Sequence, residues 1–144
     1  MNIQPFHPEH LQALLLQPAQ ESMRPVLGDP AYGQSLAQAG PCYAAVVNGV
    51  VIACAGLIPQ WPGRAVAWAL ISGAAGPHFF GVHRAVKRAL DVHAFRRVET
   101  GVVTDFEEGH RWAKMLGFQR EGRMRAYTPD GRDCDLYALV REEH

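Results

Sequence analysis

The chain has 144 residues, of which 48% are hydrophobic, and its 14 basic side chains balance 14 acidic ones. This length and composition suit one domain, residues 1–144, with a single packed core, and the balanced charge excludes a protein that attracts nucleic acid or an anionic membrane through its overall field. No apolar run approaches the roughly 18 residues of a membrane helix and the N-terminus lacks the pattern of a secretory leader, so we expect a cytoplasmic protein without a membrane partner.

The first half of the chain carries signals for short helices and for a hairpin. Pro8 opens a helix whose leucines keep helical spacing, and Gly40-Pro41 ends a second helix. Asn48-Gly49 supplies the positive φ angles that a type I′ turn needs between two apolar runs. The predicted order is a strand over 2–6, a helix from residue 8, a helix over 31–39, strands over 42–47 and 50–58, a break at 59–63 and a buried strand over 65–71.

The second half alternates helices and strands. Asp105 and Glu108 form a capping box at the start of the last helix, and Gly117 ends that helix. Pro129-Asp130-Gly131 provides turn chemistry between the last two strands. The predicted order is a loop of small residues at 72–77, a helix over 78–95, a strand over 98–103, a helix over 105–116, a strand after 118 and a strand over 133–141.

Cysteine and histidine spacing gives no sign of a disulfide framework or of a metal site. Cys42, Cys54 and Cys134 form no CxxC pair, and each lies in an apolar, strand-like run. We therefore interpret all three as small core residues of a protein in a reducing compartment. The seven histidines show no metal-ligand spacing, and we expect no metal.

This order of elements predicts an α/β protein in which helices cover a mixed sheet. The sheet should have about seven strands, mostly antiparallel, and four helices should pack on its two faces to give an α/β/α sandwich. The strand, helix and strand around 78–95 should form a parallel crossover, because a strand that returns through a helix runs in the same direction as the first.

The C-terminal third carries a resemblance to a known superfamily. An amphipathic helix ends there in Leu116-Gly117-Phe118 and leads into the last two strands. This arrangement resembles the GNAT (GCN5-related N-acetyltransferase) superfamily, whose domains are similar in element order and in length, and above all its small GNAT-like proteins that bacteriophages often encode. Further matching positions are Glu121-Gly122, Tyr127, Asp130-Gly131 and Leu136-Tyr137-Ala138-Leu139.

The resemblance implies a GNAT-like sandwich that binds acetyl-CoA at the loop after the central strand. Unpaired main-chain N–H groups at the start of a helix suit the pyrophosphate, and in GNAT proteins the strand before the loop pairs with the pantetheine arm. The family signature Q/R-x-x-G-x-G/A is not matched, because Ala75, His78 and Phe80 stand at its fixed positions. A tight turn with a purely steric role is an equal alternative. The expected cofactor-binding residues are Leu70, Ile71, Ser72, Gly73, Ala74, Ala75 and Gly76.

Acetyl transfer to an amine needs a group that removes a proton and a group that protonates the leaving thiolate. Glu99, on the strand beside the expected groove, is the first candidate for the base, and an ion pair with neighbouring Arg97 or another arginine is the alternative. Many GNAT enzymes carry a tyrosine four residues before the glycine that follows the last helix, but this chain has Ala113 there. The acid would then be Tyr127, His110 or solvent. A half-buried aromatic is the alternative for Tyr127, and an exposed helical histidine for His110.

The resemblance implies an acyltransferase that moves an acetyl group from acetyl-CoA to a primary amine by direct transfer in a ternary complex. The acceptor is expected to be a small-molecule or peptide amine, with no nucleic acid as partner, and a homodimer stays open. The alternative is a non-catalytic GNAT-fold interaction protein, or a phage virion protein in contact with other particle proteins, with a degenerate acetyl-CoA site. The location would then be the virion.

Overall fold

A computed structural model describes residues 1–142 of the chain. Seven strands form one sheet in the order β1-β2-β3-β4-β5-β7-β6. The strands are β1 (Asn2–Pro5), β2 (Cys42–Val47), β3 (Val50–Trp61), β4 (Arg64–Ile71), β5 (Arg97–Val103), β6 (Gln119–Met124) and β7 (Cys134–Val140).

Five α-helices and two 3₁₀ segments accompany these strands within the described residues. The helices are α1 (Pro8–Ala13), α2 (Arg24–Leu27), α3 (Pro30–Ala39), α4 (Phe79–His93) and α5 (Glu107–Met115). The 3₁₀ segments are Pro18–Met23 and Gly73–His78. Among residues 1–142, no helix combines the length and the apolar character that crossing a membrane requires.

The pairing of the strands confirms a mixed, mostly antiparallel sheet. β4 and β5 run parallel and are connected through α4, whereas every other pair of neighbouring strands is antiparallel. The edges of the sheet are β1, which has four residues and ends in Pro5, and β6, whose register shifts between Arg120 and Gly122. The predicted parallel crossover around α4 is therefore confirmed.

Two helical layers cover the two faces of the sheet. On one face, Leu11 of α1 and Leu36 of α3 pack against Cys54 and Leu70 of the central strands. On the other face α4 and α5 contribute a second cluster, which consists of Leu57, Ala65, Leu90, Val98, Ala113, Leu116, Phe118 and Tyr137. This arrangement is the predicted α/β/α sandwich, in which each layer removes one apolar face of the sheet from water.

Several element boundaries differ from the sequence prediction, which has four helices. The fifth helix, α2, is a single turn in a proline-containing segment to which the sequence analysis assigns no element. β3 continues through Pro59 to Trp61, where a break is predicted. Proline is tolerated at this position because the pairing with β2 ends at Gly56, so the missing N–H costs no bond on that side.

The predicted capping box of the last helix is wrong. α5 begins at Glu107 after Phe106, and no side chain accepts a hydrogen bond at this N-terminus. The Asp105 carboxylate is instead bound by the Arg132 guanidinium at 3.0 Å and 3.2 Å. Glu107 and Glu108 lie in the first turn, where carboxylates interact favourably with the helix dipole.

The cysteines are free and lie inside strands, as predicted. Cys54 and Cys134 are buried, and Cys42 is half-buried. Burial raises the pKa of the Cys54 thiol to about 12 and that of Cys134 to about 11. Both thiols are therefore protonated at neutral pH and act as core side chains.

Gly40 is a sensitive position because the chain approaches itself closely between α3 and β2. A Cβ at Gly40 would overlap the Leu57 carbonyl oxygen and would lie 2.6 Å from Pro59 Cδ. We expect Gly40→Ala to lower the free energy of unfolding by about 1–3 kcal/mol, the usual cost of overpacking. The control Gly28→Ala, where a Cβ would meet nothing within 4 Å, should change it by less than about 1 kcal/mol. Urea unfolding measures both; equal stabilities would contradict the close packing at Gly40.

Candidate functional site

β4 and β5 separate after a short paired stretch. They pair at three positions only, Arg64 with Arg97, Ala65 with Val98 and Val66 with Glu99. Beyond these pairs β4 continues to Ile71 and β5 to Val103, and no further pairing joins the two strands. We call the gap between residues 67–71 of β4 and 100–103 of β5 the wedge. In the wedge, the backbone edge of β4 has no neighbouring strand, so other groups can bind its N–H and C=O groups.

Side chains and a nearby segment satisfy the β4 edge of the wedge. Near its narrow end, the Thr100 hydroxyl donates to the Ala67 carbonyl at 3.0 Å. Further along, Gln20 Nε2 donates to the Ala69 carbonyl at 2.8 Å, and the Ile71 N–H donates to Gln20 Oε1 at 2.7 Å. The Gln17 N–H donates to the Ile71 carbonyl at 3.1 Å. Residues 15–20 therefore lie along β4 at the place that the next strand leaves free.

The loop after β4 is also engaged within the chain. Ser72 N–H donates to the Ile52 carbonyl at 2.8 Å and Gly73 N–H to the Leu15 carbonyl at 3.1 Å. Ala74 N–H donates to Ser72 Oγ at 3.0 Å, and Ala75 N–H donates to the Ser72 carbonyl at 3.1 Å. With Ile71, five consecutive donors are paired, so the expectation of unpaired main-chain donors is wrong for residues 71–75.

The outer surface of this loop is nevertheless open. A Cβ placed at Gly73 or at Gly76 would meet nothing within 4 Å. Phe80 is 76% exposed, so its ring points to solvent and does not fill the space over the loop. His78 stands at the N-cap of α4 without a side-chain hydrogen bond to the helix.

A cavity of about 510 Å³ lies at the wide end of the wedge. One wall is the segment that pairs with β4, and the opposite wall is the start of α5. The cavity contains the Asp105–Arg132 ion pair and a second carboxylate, Glu108. The lining residues are Gln17, Pro18, Ala19, Asp105, Phe106, Glu108 and Arg132.

Sequence comparison alone places the chain in no family: no protein-family model and no curated protein matches it. Solved structures do match over almost the whole chain. A ribosomal-protein-alanine N-acetyltransferase from Brucella melitensis is 13% identical, with 98% of this chain and 100% of that chain covered and a TM-score of 0.73. An acetyltransferase of the GNAT family from Bacillus anthracis is 13% identical, with 98% and 95% covered and a TM-score of 0.68. The chain has the GNAT fold.

A further structure with the GNAT fold carries a small-amine substrate in its name. It is a spermidine N-acetyltransferase chimera from Vibrio cholerae and hSSAT, 15% identical, with 81% of this chain and 75% of that chain covered and a TM-score of 0.60. At these identities the likeness establishes the architecture, and the chemistry has to be argued from the residues of this chain.

Glu99 lies on β5 at the narrow end of the wedge and is held by arginines. Arg64 Nε and Nη2 donate to its two carboxylate oxygens at 2.7 Å and 3.0 Å, and Arg97 Nε lies 3.6 Å away. The hydrogen bonds from Arg64 hold the pKa of Glu99 below its ordinary value, although partial burial opposes them. Both oxygens are thus engaged, and a depressed pKa makes this carboxylate a weaker base.

His110 is buried, contrary to the expectation of an exposed helical histidine. Only 8% of its surface is accessible, and both ring nitrogens are engaged within 2.8 Å, Nδ1 by the Tyr137 hydroxyl and Nε2 by the Thr104 carbonyl. Because a carbonyl oxygen can only accept, the neutral ring carries its proton on Nε2, and Nδ1 accepts from Tyr137. His110 therefore ties α5 to β7 and to the end of β5.

A second layer of polar groups surrounds this histidine. Asp135 Oδ2 lies 3.9 Å from His110 Nδ1, and the Asp135 carboxylate accepts from Arg120 and from the Thr104 hydroxyl, both at 3.1 Å. Burial acts to raise the pKa of Asp135, but these hydrogen bonds outweigh it and the pKa lies below its ordinary value. Burial also raises the pKa of Tyr137, which keeps its hydroxyl as a donor.

Tyr127 lies beside β5, outside the His110 cluster, and is accessible. Its side chain is 56% exposed, and its ring lies 3.4 Å from the Cβ position of Gly101, on the β5 side of the wedge. Burial and the neighbouring Tyr127 raise the pKa of Tyr32, which comes from α3. Among the predicted catalytic residues, Tyr127 is the most accessible.

The structure brings some predicted residues together and adds others. Leu70 to Gly76 border the wedge and Glu99 lies at its narrow end, whereas His110 belongs to a separate buried cluster. Gln20 and Thr100 were not predicted, because a polar side chain that satisfies a strand edge has no local sequence pattern. No group of three or more His, Cys, Asp or Glu side chains among residues 1–142 is arranged to hold a metal ion.

We expect Tyr137→Phe to lower the free energy of unfolding by about 1–3 kcal/mol, because it leaves His110 Nδ1 buried without a hydrogen-bond donor. The control is Tyr43→Phe, whose hydroxyl contacts His93 Nε2 at 3.2 Å at an exposed site, and it should cost less than about 0.5 kcal/mol. Urea unfolding of both variants measures the difference. Equal losses would show that the buried contact does not hold α5 in place.

Proposed function

We propose that this chain is an N-acetyltransferase that uses acetyl-CoA to acetylate a primary amine. The observation that carries the proposal is the wedge: a central strand of a GNAT fold leaves its backbone edge without a neighbouring strand, next to an open cavity. An extended ligand that contains amide groups can pair with such an edge as a strand would. The two acetyltransferases with the same fold that are compared above are consistent with this use of the site.

The atoms of the β4 edge are the right complement for the pantetheine arm of acetyl-CoA. The edge offers the Ile71 N–H as donor and the Ala69 carbonyl as acceptor, and the carboxamide of Gln20 already binds both groups. A carboxamide has the same donor and acceptor as a pantetheine amide. Once Gln20 moves aside, Leu70 to Gly76 would therefore hold this arm, with the exposed surface of Gly73 and Gly76 toward the diphosphate.

Acetyl-CoA would supply a thioester whose acyl carbon can accept an amine nitrogen. The residues of the chain would orient the acceptor and move its proton. The cavity lining carries two carboxylates, Asp105 and Glu108, and one guanidinium, Arg132, so its net negative charge attracts a cationic amine. Phe106 adds an apolar wall. We propose direct transfer in a ternary complex, because the β4 edge proposed for the donor and the cavity proposed for the acceptor lie beside the same wedge.

Proton transfer falls to the three residues predicted from the sequence. Tyr127 is our first choice as acid, because it is accessible beside β5. Glu99 as base would first have to release Arg64, so its ion pair is the simpler interpretation of its position. His110 would act only through Tyr137, because both of its ring nitrogens are already engaged.

A second candidate function has an observation of its own in its favour. The main-chain N–H groups of residues 71–75 all have acceptors within the chain, and residues 15–20 lie along β4. These contacts form without any ligand. A non-catalytic interaction protein, such as a component of a phage particle, would show this arrangement if its coenzyme site had degenerated. The two functions differ in whether acetyl-CoA binds.

Ligand-dependent stability separates these two functions. Acetyl-CoA at about 100 times its dissociation constant should stabilise the folded chain by about 2.7 kcal/mol and raise the melting temperature by several degrees. Thermal unfolding with increasing acetyl-CoA measures this shift, and ATP at the same concentration is the control for unspecific anion binding. An unchanged melting temperature at millimolar acetyl-CoA would favour the interaction protein.

If transfer occurs, Tyr127→Phe tests the proposed acid. We expect kcat to fall about 100-fold with little change in the affinity for acetyl-CoA, because only the phenolic proton is lost. Tyr43→Phe, on the distant strand β2, should leave kcat unchanged. Initial rates with a primary amine acceptor measure both variants. An unaltered kcat would remove Tyr127 from the reaction.

A further inference from the structure

The segment 15–20 occupies the β4 edge in the way that a bound strand would. It contributes an antiparallel bridge between Leu16 and Ser72, and the Gln17 N–H and the Leu15 carbonyl bond to the main chain on either side of that bridge. Gln20 extends the pattern toward the narrow end of the wedge with its side chain.

Gln20 differs from Leu15 and Gln17 because it contacts β4 through its side chain, whereas they bond through their main chain. A side-chain amide can leave through rotation about its own torsions, whereas release of Leu15 and Gln17 would require the main chain to move. The carboxamide bonds to Ala69 and Ile71, which lie 49 and 51 positions later in the chain. Within the segment, Gln17 Nε2 donates to the same Gln20 oxygen at 3.4 Å.

We infer that Gln20 is a built-in competitor for the β4 edge, which the protein uses to keep its coenzyme site closed until the pantetheine arm displaces it. This inference rests on the proposed function. The displaced contacts and the new ones are of the same kind, an acceptor for the Ile71 N–H and a donor for the Ala69 carbonyl. The exchange therefore leaves neither the Ile71 N–H nor the Ala69 carbonyl without a partner, which would be costly.

Competition of this kind lowers the observed affinity for the coenzyme in proportion to the fraction of molecules whose site is open. If the two Gln20 hydrogen bonds favour the closed state by about tenfold, coenzyme binding is weakened by the same factor. Removal of the carboxamide should restore that affinity, although it deletes contacts from the protein.

The test compares Gln20→Ala with the wild-type chain by calorimetric titration with coenzyme A. We expect Gln20→Ala to bind about tenfold more tightly, whereas the control Gln34→Ala, an exposed glutamine on α3, should bind as the wild type does. Equal affinities of Gln20→Ala and wild type would overturn the competition and leave the transferase proposal standing. Absence of binding to both would overturn the transferase proposal, and the competition with it.

A second measurement on the wild-type chain does not depend on how the variant folds. The Gln20 side-chain N–H₂ and the Ile71 N–H should exchange slowly with solvent in the free protein, because Gln20 Nε2 donates to the Ala69 carbonyl and the Ile71 N–H donates to Gln20 Oε1. On addition of coenzyme A the Ile71 N–H should stay protected while the Gln20 N–H₂ becomes free to exchange. If both stay protected with coenzyme bound, Gln20 is not displaced and the inference is wrong.

Discussion

Backbone hydrogen bonding of β4 is the constraint on which the rest of the structure depends. β4 is a central strand with apolar side chains on both faces, so its N–H and C=O groups cannot be left without partners. β5 supplies partners for three residues only and then turns away. Thr100, Gln20 and the main chain of residues 15–17 supply partners further along the strand, for the carbonyls of Ala67, Ala69 and Ile71 and for the Ile71 N–H. Residues 15–20, which follow α1, are therefore held in place by hydrogen bonds to β4, about fifty residues later in the chain.

The divergence of β5 is in turn held from the opposite side. β5 pairs with β7 over seven positions, and α5 is fixed above this pair through His110 and Tyr137. Asp135, Arg120 and Thr104 complete a polar cluster in which each charge has a partner, so the burial of these groups does not leave an isolated ion. Residues 15–20 thus support β4, and α5 supports β5. The opening between the two strands is therefore a stable feature of the fold.

Much of the fold follows from local patterns in the sequence. Asn48 and Gly49 have the positive φ angles that the predicted turn needs, at 50° and 79°, and Gly117 ends α5 at a φ of 99°. The predicted strands and the parallel crossover are present, since periodicity and turn chemistry act over a few residues. The predicted capping box at Asp105 is wrong because a distant residue decides it: Arg132, 27 residues away, binds that carboxylate.

The site was less predictable, because its contacts join distant parts of the chain. The sequence indicates a loop rich in small residues between β4 and α4, but not that its N–H groups already have acceptors in Ile52, Leu15 and Ser72. The helical position of His110 is compatible with exposure or burial, and only the packing of β7 against α5 decides between them. Arg97 or another arginine was the expected partner of Glu99; Arg97 lies 3.6 Å from the carboxylate, and Arg64 is the principal partner.

The two outermost strands bear on how this molecule meets copies of itself. β1 is only four residues long and ends in a proline, and β6 carries arginines and a register shift. Short length, proline, charge and irregular pairing are all features that hinder the addition of another strand. Aggregation through extension of the sheet is thereby discouraged at both edges, which favours helical or loop surfaces for any self-association.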